Sequence, residues 1–327
     1  MTTPPPQGRQ QQRYIHEALF FDTDENLLGE GLDFVSEGLR RGEDVALVCS
    51  ADRNQLLHET LNGGGDLTGG RLTLIDQREA YRHATGALDF FQRLALRSAS
   101  DGIPRARVFA EVPFGNDQGR WAEWRRFEAL CNVALAELRM WSVCAYDTRS
   151  TTPELDEIVR KTHPILHNNG QRGDNAEFVD PVAFLEAEPE ADALPVERQP
   201  PIVLIPDIRS AEELRDARQR LHQALASVPG LATPRARDFL LGANELLENA
   251  LVHGTPPVSV RLWIDQTALV CSVTDQGAGF RNPFAGYWRR LDVDLERHGL
   301  WLARQLCDEV SFHRRPAFTA RARLTLP

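Results

Sequence analysis

Short apolar runs alternate with amphipathic segments along the first half of the chain. Apolar residues spaced three and four apart predict helices, whereas short continuous apolar runs predict strands buried on both faces. The predicted strands lie in 18–21, 45–48, 72–75, 107–110 and 141–145, and the predicted helices cover 27–41, 52–61, 84–98, 119–138 and 153–162. This alternation predicts a doubly wound α/β domain built on a parallel sheet.

The pattern changes after an acidic, proline-rich segment at 186–201, whose composition predicts a semi-stiff, solvated linker. Beyond it, a capping box at Ser210–Glu213 begins one helix, and two more are predicted after Thr233 and from Gly299. Strands are predicted at 202–205, 257–264, 268–275, 309–314 and 318–326, with a lid at 282–298. Helices on one face of a largely antiparallel sheet form an α+β sandwich. The predicted organisation is a tail at 1–13, an α/β domain at 14–185, the linker at 186–201 and an α+β domain at 202–327.

Composition and charge restrict the classes of function. The 327 residues carry a net charge of -10, which argues against a nucleic-acid partner because phosphate binding needs clustered Lys and Arg. No apolar run approaches the ~20 residues that span a bilayer. Residues 1–13 are polar, unlike a signal peptide, and predict a disordered tail. The sequence therefore predicts a cytoplasmic protein without a membrane or nucleic-acid partner.

Five cysteines are scattered along the chain without a Cys-x-x-Cys pair. Most of them lie inside apolar runs, where a thiol behaves as a small hydrophobic group. This spacing predicts neither a disulfide framework nor a zinc site.

Four predicted strands of the α/β domain end in an acidic residue: Asp22, Asp76, Glu111 and Asp147. Ligands of open parallel sheets bind at the carboxyl ends of the strands, but an acid at this position also caps the following helix. Capping is the expected role of Asp22 and Asp76, whereas Glu111 and Asp147 are candidates for a ligand site.

The α/β domain has no Gly-x-x-x-x-Gly-Lys-Ser/Thr motif. The glycine-rich segment 63–70 lacks the lysine and lies between a helix and the following strand, whereas a phosphate loop follows a strand and opens a helix. Segment 63–70 is therefore interpreted as a flexible turn, and the domain is not expected to hydrolyse nucleotides through a P-loop.

Three stretches carry the candidate chemistry of the second domain. Glu245 and Asn249 are four residues apart at the border of an apolar helix face, so their side chains stack on one side of the helix. Taken alone, such a pair is more often a solvated pair on an amphipathic helix. Downstream, a strand runs into the turn Asp275-Gln-Gly277-Ala-Gly279, and a further helix begins directly after Gly299.

In this order, the three stretches resemble the N, G1 and G2 boxes of the GHKL ATPases, and the form Glu-Leu-x-x-Asn-Ala-x-x-His-Gly resembles most the anti-sigma-factor serine kinases. The resemblance implies a Bergerat-type sandwich that binds ATP with Mg²⁺. It implies that Asn249 supplies an oxygen to Mg²⁺, that Glu245 is the catalytic base, and that Asp275 accepts a hydrogen bond from the adenine amine.

The same resemblance implies nucleotide contacts by Gly277 and Gly279 and, at the start of the last helix, by His298, Gly299 and Leu300. The sequence departs from the family here, because 294–298 occupies the place of an additional glycine. Arg297 or His298 could compensate as a phosphate contact; a solvent-exposed role in the lid is the alternative.

Further short motifs resemble the MEDS (methanogen/methylotroph sensory) domain over roughly residues 14 to 181. They include His16-Glu, Arg126-Phe-Glu-Ala-Leu-Cys-Asn132, Cys144-Ala-Tyr-Asp147 and Lys161-Thr-His-Pro164. The resemblance implies a degenerate RecA-like domain that senses a small molecule. The expected ligand site comprises His16, Glu111, Tyr146, Asp147 and His163. Two separate hydrogen-bonded core histidines are the alternative for His16 and His163.

Together these features predict a regulator whose sensory domain controls an anti-sigma-like serine/threonine kinase. The expected partners are a small-molecule signal and an anti-sigma factor antagonist, a sigma factor, or both; the oligomeric state is left open, a homodimer included. The alternatives are a docking regulator with a non-catalytic nucleotide site and a protein resembling a sensor histidine kinase. The segment 202–235 is too short for the dimerising hairpin that a histidine kinase needs.

Overall fold

The computed structural model describes residues 14–63, 70–112, 118–168, 170–187, 193–228, 233–280, 282–287, 298–314 and 316–326. The predicted tail at 1–13, the centre of the glycine-rich turn at 64–69 and most of the predicted lid, 288–297, lie outside these ranges. The chain divides into two units, 1–186 and 187–327.

A seven-stranded sheet forms the first unit. Its strands are β1 (Tyr14–Phe21), β2 (Asp44–Cys49), β3 (Arg71–Asp76), β4 (Ala106–Glu111), β5 (Met140–Asp147), β6 (Ile165–Asn168) and β7 (Gln171–Asp174). They are arranged in the order β3-β2-β4-β5-β1-β6-β7. Neighbours from β3 to β6 are parallel, whereas β7 is antiparallel to β6. The predicted parallel strands are therefore present, and the unpredicted β6–β7 hairpin makes the sheet mixed.

Helices cover both faces of this sheet. They are α1 (Asp24–Arg40), α2 (Ala51–Gly63), α3 (Gln77–Ala80), α4 (Ala84–Ser100), α5 (Gln118–Ala134), α6 (Pro153–Thr162) and α7 (Pro181–Glu186). On one face, α1 and α2 share an apolar core with side chains of β1, β2, β4 and β5. On the other face, Glu128 of α5 and His163, which follows α6, contact Tyr146 of β5. Because successive strand residues point to opposite faces, each central strand supplies both cores.

The capping expected of two strand-end acids is confirmed for one and wrong for the other. Asp76 caps α3 and accepts a hydrogen bond from the Arg78 N–H at 2.7 Å. The N-cap of α1 is Thr23, whose hydroxyl accepts from the Asn26 N–H at 3.2 Å. Asp22 lies one residue too early and instead accepts from the Asn26 side-chain amide at 2.8 Å.

The described residues of the second unit form a five-stranded sheet with three α-helices. Its strands are β8 (Val203–Ile208), β9 (Val258–Ile264), β10 (Ala268–Asp275), β11 (Glu309–His313) and β12 (Phe318–Thr325), and its helices are α8 (Ala211–Ala226), α9 (Pro234–His253) and α10 (Gly299–Leu306). The order is β11-β12-β10-β9-β8, with antiparallel pairing throughout. The helices and one sheet face enclose a single apolar core. The capping box predicted at Ser210 and Glu213 is present. None of the helices in the described ranges has the length and apolar character that a bilayer crossing requires.

The predicted linker is wrong at its carboxyl end, because 195–199 packs on the second unit. Val196 is 3% exposed and lies in a small cluster with Trp263 and Val270. The Trp263 indole donates to the Gln199 carbonyl at 2.9 Å, and Glu197 pairs with Arg321 at 2.7 Å. These contacts lie on the sheet face opposite the helices. The burial of Val196 and its neighbours therefore fixes 195–199 on the domain, although its proline-rich composition predicts a solvated linker. Residues 188–192 lie outside the described ranges.

Candidate functional site

Helix α9 positions the candidate catalytic pair. It begins after Thr233, whose hydroxyl accepts from the Ala236 N–H at 3.2 Å, with Pro234 in the first turn. Its apolar face lies in the core of the second unit. Glu245 and Asn249 lie at the edge of that face and are half-buried. The side-chain stacking predicted from their spacing therefore places both groups at the surface of the core.

The start of α10 meets these two side chains. A Cβ atom at Gly299 would overlap Oε2 of Glu245 and would lie 3.5 Å from the Asn249 amide nitrogen. At the other end of the contact, a Cβ at Gly242 would lie 2.8 Å from the Cys307 sulfur. Glycine at both positions lets α9 and α10 approach closely. The Glu245 carboxylate thereby lies at the amino end of α10, where free N–H groups and the helix dipole favour an anion.

A pocket of about 300 Å³ opens beside Asn249, with Asp275 in its lining. Asp275 ends β10 and is 3% exposed. Its Oδ1 atom accepts the backbone N–H of Thr255 at 3.1 Å and that of Gly277 at 2.6 Å. Within the described residues no donor reaches Oδ2, so this carboxylate oxygen is available to a donor on a ligand. A buried carboxylate needs such partners, because burial without them is unfavourable.

Glycines keep the pocket open around this carboxylate. A Cβ at Gly277 would lie 2.6 Å from Oδ1 of Asp275, and a Cβ at Gly254 would meet the same carboxylate at 2.6 Å. Gly279 has φ +72°, and a Cβ there would overlap the Phe318 ring. This backbone conformation and the missing side chains are both needed for a ligand to reach Asp275.

Three aromatic rings form one wall of the pocket. Phe280 lies 5.2 Å from Phe312 and 5.5 Å from Phe318, measured between ring centroids, and Phe312 and Phe318 stack at 5.7 Å. The wall offers apolar surface to a flat ring, while Asp275 offers a hydrogen-bond acceptor. That combination suits a purine base carrying an exocyclic amine.

The predicted nucleotide contacts separate into two neighbouring groups. Asn249, Asp275, Gly277 and Gly279 line the pocket, whereas the residues at the start of α10 lie next to Glu245 and Asn249. Leu300 is buried, and a Cβ at Gly286 would meet its side chain.

The remaining predicted phosphate contacts flank the start of α10. His298 occupies the N-cap position of α10 without a side-chain capping bond. Its Nδ1 atom is buried and has no hydrogen-bond partner among the described residues. Arg297, the other candidate phosphate contact, lies outside the described residues.

The environment of Glu245 suits a proton acceptor. Burial, with a smaller contribution from the negative charge of Glu248, raises the pKa of Glu245, and Arg218 opposes the shift. A carboxylate with a raised pKa holds an accepted proton more readily near neutral pH.

In the first unit, the candidate acids at the sheet edge are already paired. Arg53 bridges Glu111 and Asp24, with 2.8 Å between its guanidinium and Asp24. Arg149 bridges the same Asp24 oxygen at 2.8 Å and Asp147 at 2.6 Å. The Arg149 hydrogen bonds lower the pKa of Asp147. The structure therefore places Glu111 and Asp147 in one ion-pair network, in which each carboxylate has an arginine partner.

The other predicted sensory residues lie in a separate, buried cluster. His16 of β1 and His163 after α6 have ring centroids 4.0 Å apart. Glu128 of α5 lies between them, and the Tyr146 hydroxyl donates to its Oε1 atom at 2.9 Å. Burial, together with the neighbouring His163, lowers the pKa of His16 to about 4, so the ring is neutral at pH 7. The structure brings these two histidines and Tyr146 together, whereas the Glu111 and Asp147 side chains belong to the separate arginine network.

A pocket of about 530 Å³ reaches this cluster. Its lining includes Tyr14, His16, Asn132, Asp174 and Phe178. Sequence reasoning missed Glu128 and Asn132 as functional candidates. The available signal was a charged residue inside the apolar run Phe127-Glu-Ala-Leu-Cys131, which a core helix carries only when the charge has a partner.

These features define a protein that joins an α/β domain with a pocket beside a buried polar cluster to a domain with a nucleotide-sized pocket. Residues 15–164 match the family model of the methanogen/methylotroph, DcmR sensory (MEDS) domain. Residues 209–324 match the model of the histidine kinase-like ATPase domain. The chain therefore consists of a MEDS domain followed by a histidine kinase-like ATPase domain, a combination that indicates a signalling regulator with an ATP-binding domain. No curated protein matches the chain.

Proposed function

We propose that this protein is a signalling kinase of the anti-sigma-factor type, controlled by a small molecule bound to its sensory domain. The ATPase domain transfers phosphate to a serine or threonine of a small antagonist protein and sequesters a sigma factor. The observation that carries this proposal is the position of Glu245, whose carboxylate lies beside Asn249 and Gly299, just outside the pocket that holds Asp275.

The residues around the pocket fit ATP. The open Oδ2 atom of Asp275 would accept a hydrogen bond from the adenine amine, the wall of Phe280, Phe312 and Phe318 would cover the ring, and Asn249 would offer its amide oxygen to Mg²⁺. Helix α10 begins at Gly299 without a side-chain cap, and the free N–H groups of its first turn are suited to phosphate oxygens. Bound ATP would supply the phosphoryl group: the partner's hydroxyl oxygen bonds to the γ-phosphorus as its bond to the β-phosphate oxygen breaks, and ADP is the leaving group.

Glu245 is the general base for the attacking hydroxyl. Its raised pKa makes the Glu245 carboxylate a stronger proton acceptor, so it takes the proton that the hydroxyl loses. The proton moves from the partner's serine or threonine to a Glu245 carboxylate oxygen. Asn249, one helical turn away, would bind the metal ion through its amide oxygen, so the two side chains have different roles.

The elements before α9 favour this function over a histidine kinase. The only preceding helix of the ATPase domain among the described residues is α8, and its buried residues Leu214, Leu221 and Leu225 lie in the same core as α9. The exposed histidine of α8, His222, is followed by Gln223 rather than by an acidic residue, and one helix committed to this core supplies no dimerising hairpin. The domain is therefore interpreted as a kinase acting on a separate protein.

The experiment compares two substitutions on α9 in the full chain, with transfer from labelled ATP to a co-purified partner as the assay. Glu245→Gln should reduce transfer by roughly 10²–10⁴ and leave ATP affinity nearly intact, because only the proton acceptor is lost. Asn249→Ala should weaken ATP binding directly. Glu212→Gln, a substitution of an exposed acid in the first turn of α8, is the matched control for charge.

Two outcomes would contradict the kinase. If Glu245→Gln transferred phosphate at the wild-type rate, Glu245 would not be the general base. No transfer to any bound partner, with ATP binding intact, would make the protein a docking regulator with a non-catalytic nucleotide site.

A further inference from the structure

We propose that His16, Glu128, Cys144 and His163 form a closed, four-coordinate site for a divalent metal ion of the zinc type inside the sensory domain. The four side chains are between 0% and 4% exposed. Each offers one ligand atom, and the four atoms lie within 4.8 Å of one another. The proposal does not depend on the kinase activity of the other domain.

The spacing of the ligand atoms matches a tetrahedron around zinc. Metal–ligand distances of about 2.0–2.3 Å imply that ligand atoms stand roughly 3.3–3.8 Å apart. Oε2 of Glu128 lies 3.3 Å from Nε2 of His16 and 3.4 Å from Nε2 of His163. The Cys144 sulfur lies 3.6 Å from Nε2 of His16 and 4.0 Å from Oε2 of Glu128. The remaining two pairs, His16–His163 and Cys144–His163, have ligand atoms within 4.8 Å of each other, so a contraction of about 1 Å or less on any edge completes the geometry.

Hydrogen bonds fix the protonation of both histidine rings. His163 Nδ1 lies 2.9 Å from the Val159 carbonyl, which only accepts, so Nδ1 carries the hydrogen. His16 Nδ1 faces the Asn132 side-chain oxygen at 3.1 Å. The Asn132 orientation is set because its NH₂ group donates to the carbonyls of Glu128 and Thr162 at 3.1 and 2.8 Å.

With both Nδ1 atoms protonated, a lone pair on each Nε2 points at the same carboxylate oxygen. Three electron-rich atoms meeting in a dry interior repel one another unless a cation lies between them. Two protons would produce two charged imidazolium rings whose centroids are 4.0 Å apart, and a single proton would leave one lone pair against the carboxylate. One metal ion satisfies all three atoms together with the Cys144 sulfur.

Charge balance supports a divalent ion. Metal binding converts the Cys144 thiol to a thiolate and releases its proton. The thiolate and the Glu128 carboxylate together carry two negative charges, which a divalent cation neutralises while the histidines remain neutral. The loaded site is therefore electrically neutral, as its burial requires.

The groups around the four ligands also behave as they do in metal sites. Metal-bound histidines usually donate their second N–H to a carbonyl or carboxylate, and bound carboxylates are themselves hydrogen-bonded. Here the Val159 carbonyl and the Asn132 amide accept from the two rings, and the Tyr146 hydroxyl donates to the free Oε1 of Glu128 at 2.9 Å.

The site would link four elements and has a route of access. Its ligands come from β1, α5, β5 and the residue after α6, so a bound ion would cross-link two strands and two helical segments. The pocket of about 530 Å³ that includes His16 and Asn132 reaches the site from one side. Positions 16, 128, 144 and 163 are far apart in the chain, which is why the cysteine spacing does not predict a zinc site.

The test measures metal binding by the full-length protein. After removal of metal by a chelator, the wild type should bind about one equivalent of added Zn²⁺ and release about one proton from Cys144. With Co²⁺ as the probe, it should show the intense visible bands of a tetrahedral site and a near-ultraviolet thiolate charge-transfer band. Less than about a tenth of an equivalent bound to folded wild type would overturn the proposal.

Two cysteine variants with opposite expectations, and a third variant at Tyr146, keep the test independent of folding. Cys144→Ser should lose the thiolate band, whereas Cys49→Ser, a buried cysteine in the core on the opposite sheet face, should keep it. Tyr146→Phe preserves the shape of the core and should weaken metal affinity about 10–100-fold by removing the hydrogen bond to Glu128. A Co²⁺ spectrum unchanged in Cys144→Ser, or an affinity unchanged in Tyr146→Phe, would also overturn the site as described.

Discussion

Two buried charged groups, Arg107 in the sensory domain and Asp275 in the ATPase domain, differ in how completely they are paired. In the sensory domain, the guanidinium of Arg107, which is 1% exposed, pairs with Glu43, donates to the Phe34 carbonyl at 3.1 Å and stacks on two aromatic rings. In the ATPase domain, Asp275 is 3% exposed, yet one of its oxygens receives no donor from the described residues. The first arrangement is complete within the protein, whereas the second leaves one carboxylate oxygen open to a ligand.

The difference also appears in how each region is built. The polar interior of the sensory domain depends on side chains that reach one another from four or more elements. The nucleotide pocket depends on glycine residues, which have no Cβ atom, because a Cβ at Gly277 or Gly299 would occupy the space beside Asp275 or Glu245. Removing a partner should therefore damage the first region, whereas adding an atom should damage the second.

The largest expected effect is on the sensory domain. Arg107→Ala leaves Glu43 buried without its partner, and breaking a buried ion pair typically lowers the free energy of unfolding by about 3–5 kcal/mol. Denaturant unfolding of the full chain should show the loss in the sensory-domain transition, with ATP affinity unchanged. Arg218→Ala, which breaks the more exposed pair with Glu248, is the control and should lower it by about 1 kcal/mol or less. If Arg107→Ala and Arg218→Ala lowered the free energy of unfolding equally, the buried ion pair would contribute no more to stability than the exposed pair.

Adding one atom should have the next largest effect, this time on catalysis. Gly299→Ala places a methyl group against the Glu245 carboxylate, and displacement of a catalytic group by about 1 Å reduces a rate by roughly 10². The measurement is phosphate transfer at saturating ATP. Gly173→Ala, at a position in β7 with no atom within 4 Å of the added Cβ, is the control. A transfer rate unaltered by Gly299→Ala would mean that Glu245 acts from another position.

A third substitution probes the open oxygen itself. Asp275→Asn keeps an acceptor for the Thr255 and Gly277 N–H groups but removes the charge that faces a ligand. ATP binding should weaken by about 1.5–3 kcal/mol, the range for a hydrogen bond to a charged group. Calorimetry with the full chain measures the affinity. Thr255→Ala retains the backbone N–H and should change affinity little; a larger loss there than in Asp275→Asn would contradict the role of the carboxylate.

Strong local patterns made most of the fold predictable from the sequence. Strand β10 was predicted at 268–275 and is observed at Ala268–Asp275, because its apolar run and the following glycine turn leave few alternatives. Helix α9 begins after Thr233 as its capping signal indicates. Hairpin β6–β7 escaped prediction because β7, Gln171–Asp174, is short and polar and lies at the edge of the sheet.

The candidate site was predictable only where its residues are neighbours in the chain. Glu245 and Asn249 share a helix, so their spacing fixes their relation. The Thr255 N–H that binds Asp275 and the packing of Phe312 against Phe280 depend on contacts made across the folded domain. The same holds for Cys144, which lies 16 residues from Glu128 in sequence and meets it only in the folded domain.

The smallest expected effect concerns pH and separates Glu245 from its neighbour. Burial and then the charge of Glu248 raise the pKa of Glu245 above its ordinary value of 4.5. Phosphate transfer needs the carboxylate, so the rate should increase as pH rises through this raised pKa. Folding responds with the opposite sign: between the unfolded and the folded pKa the folded state binds more protons, so the stability contributed by this group falls as pH rises.

Glu248→Gln removes the nearby negative charge, lowers the pKa of Glu245 and should move the acidic limb of the pH–rate profile to lower pH. Glu212→Gln, an exposed acid in the first turn of α8, should leave that limb in place. If Glu248→Gln leaves the limb unmoved while transfer still depends on Glu245, burial alone sets the pKa of the base; a limb that moves to higher pH would contradict the assignment of Glu245 as the group that titrates.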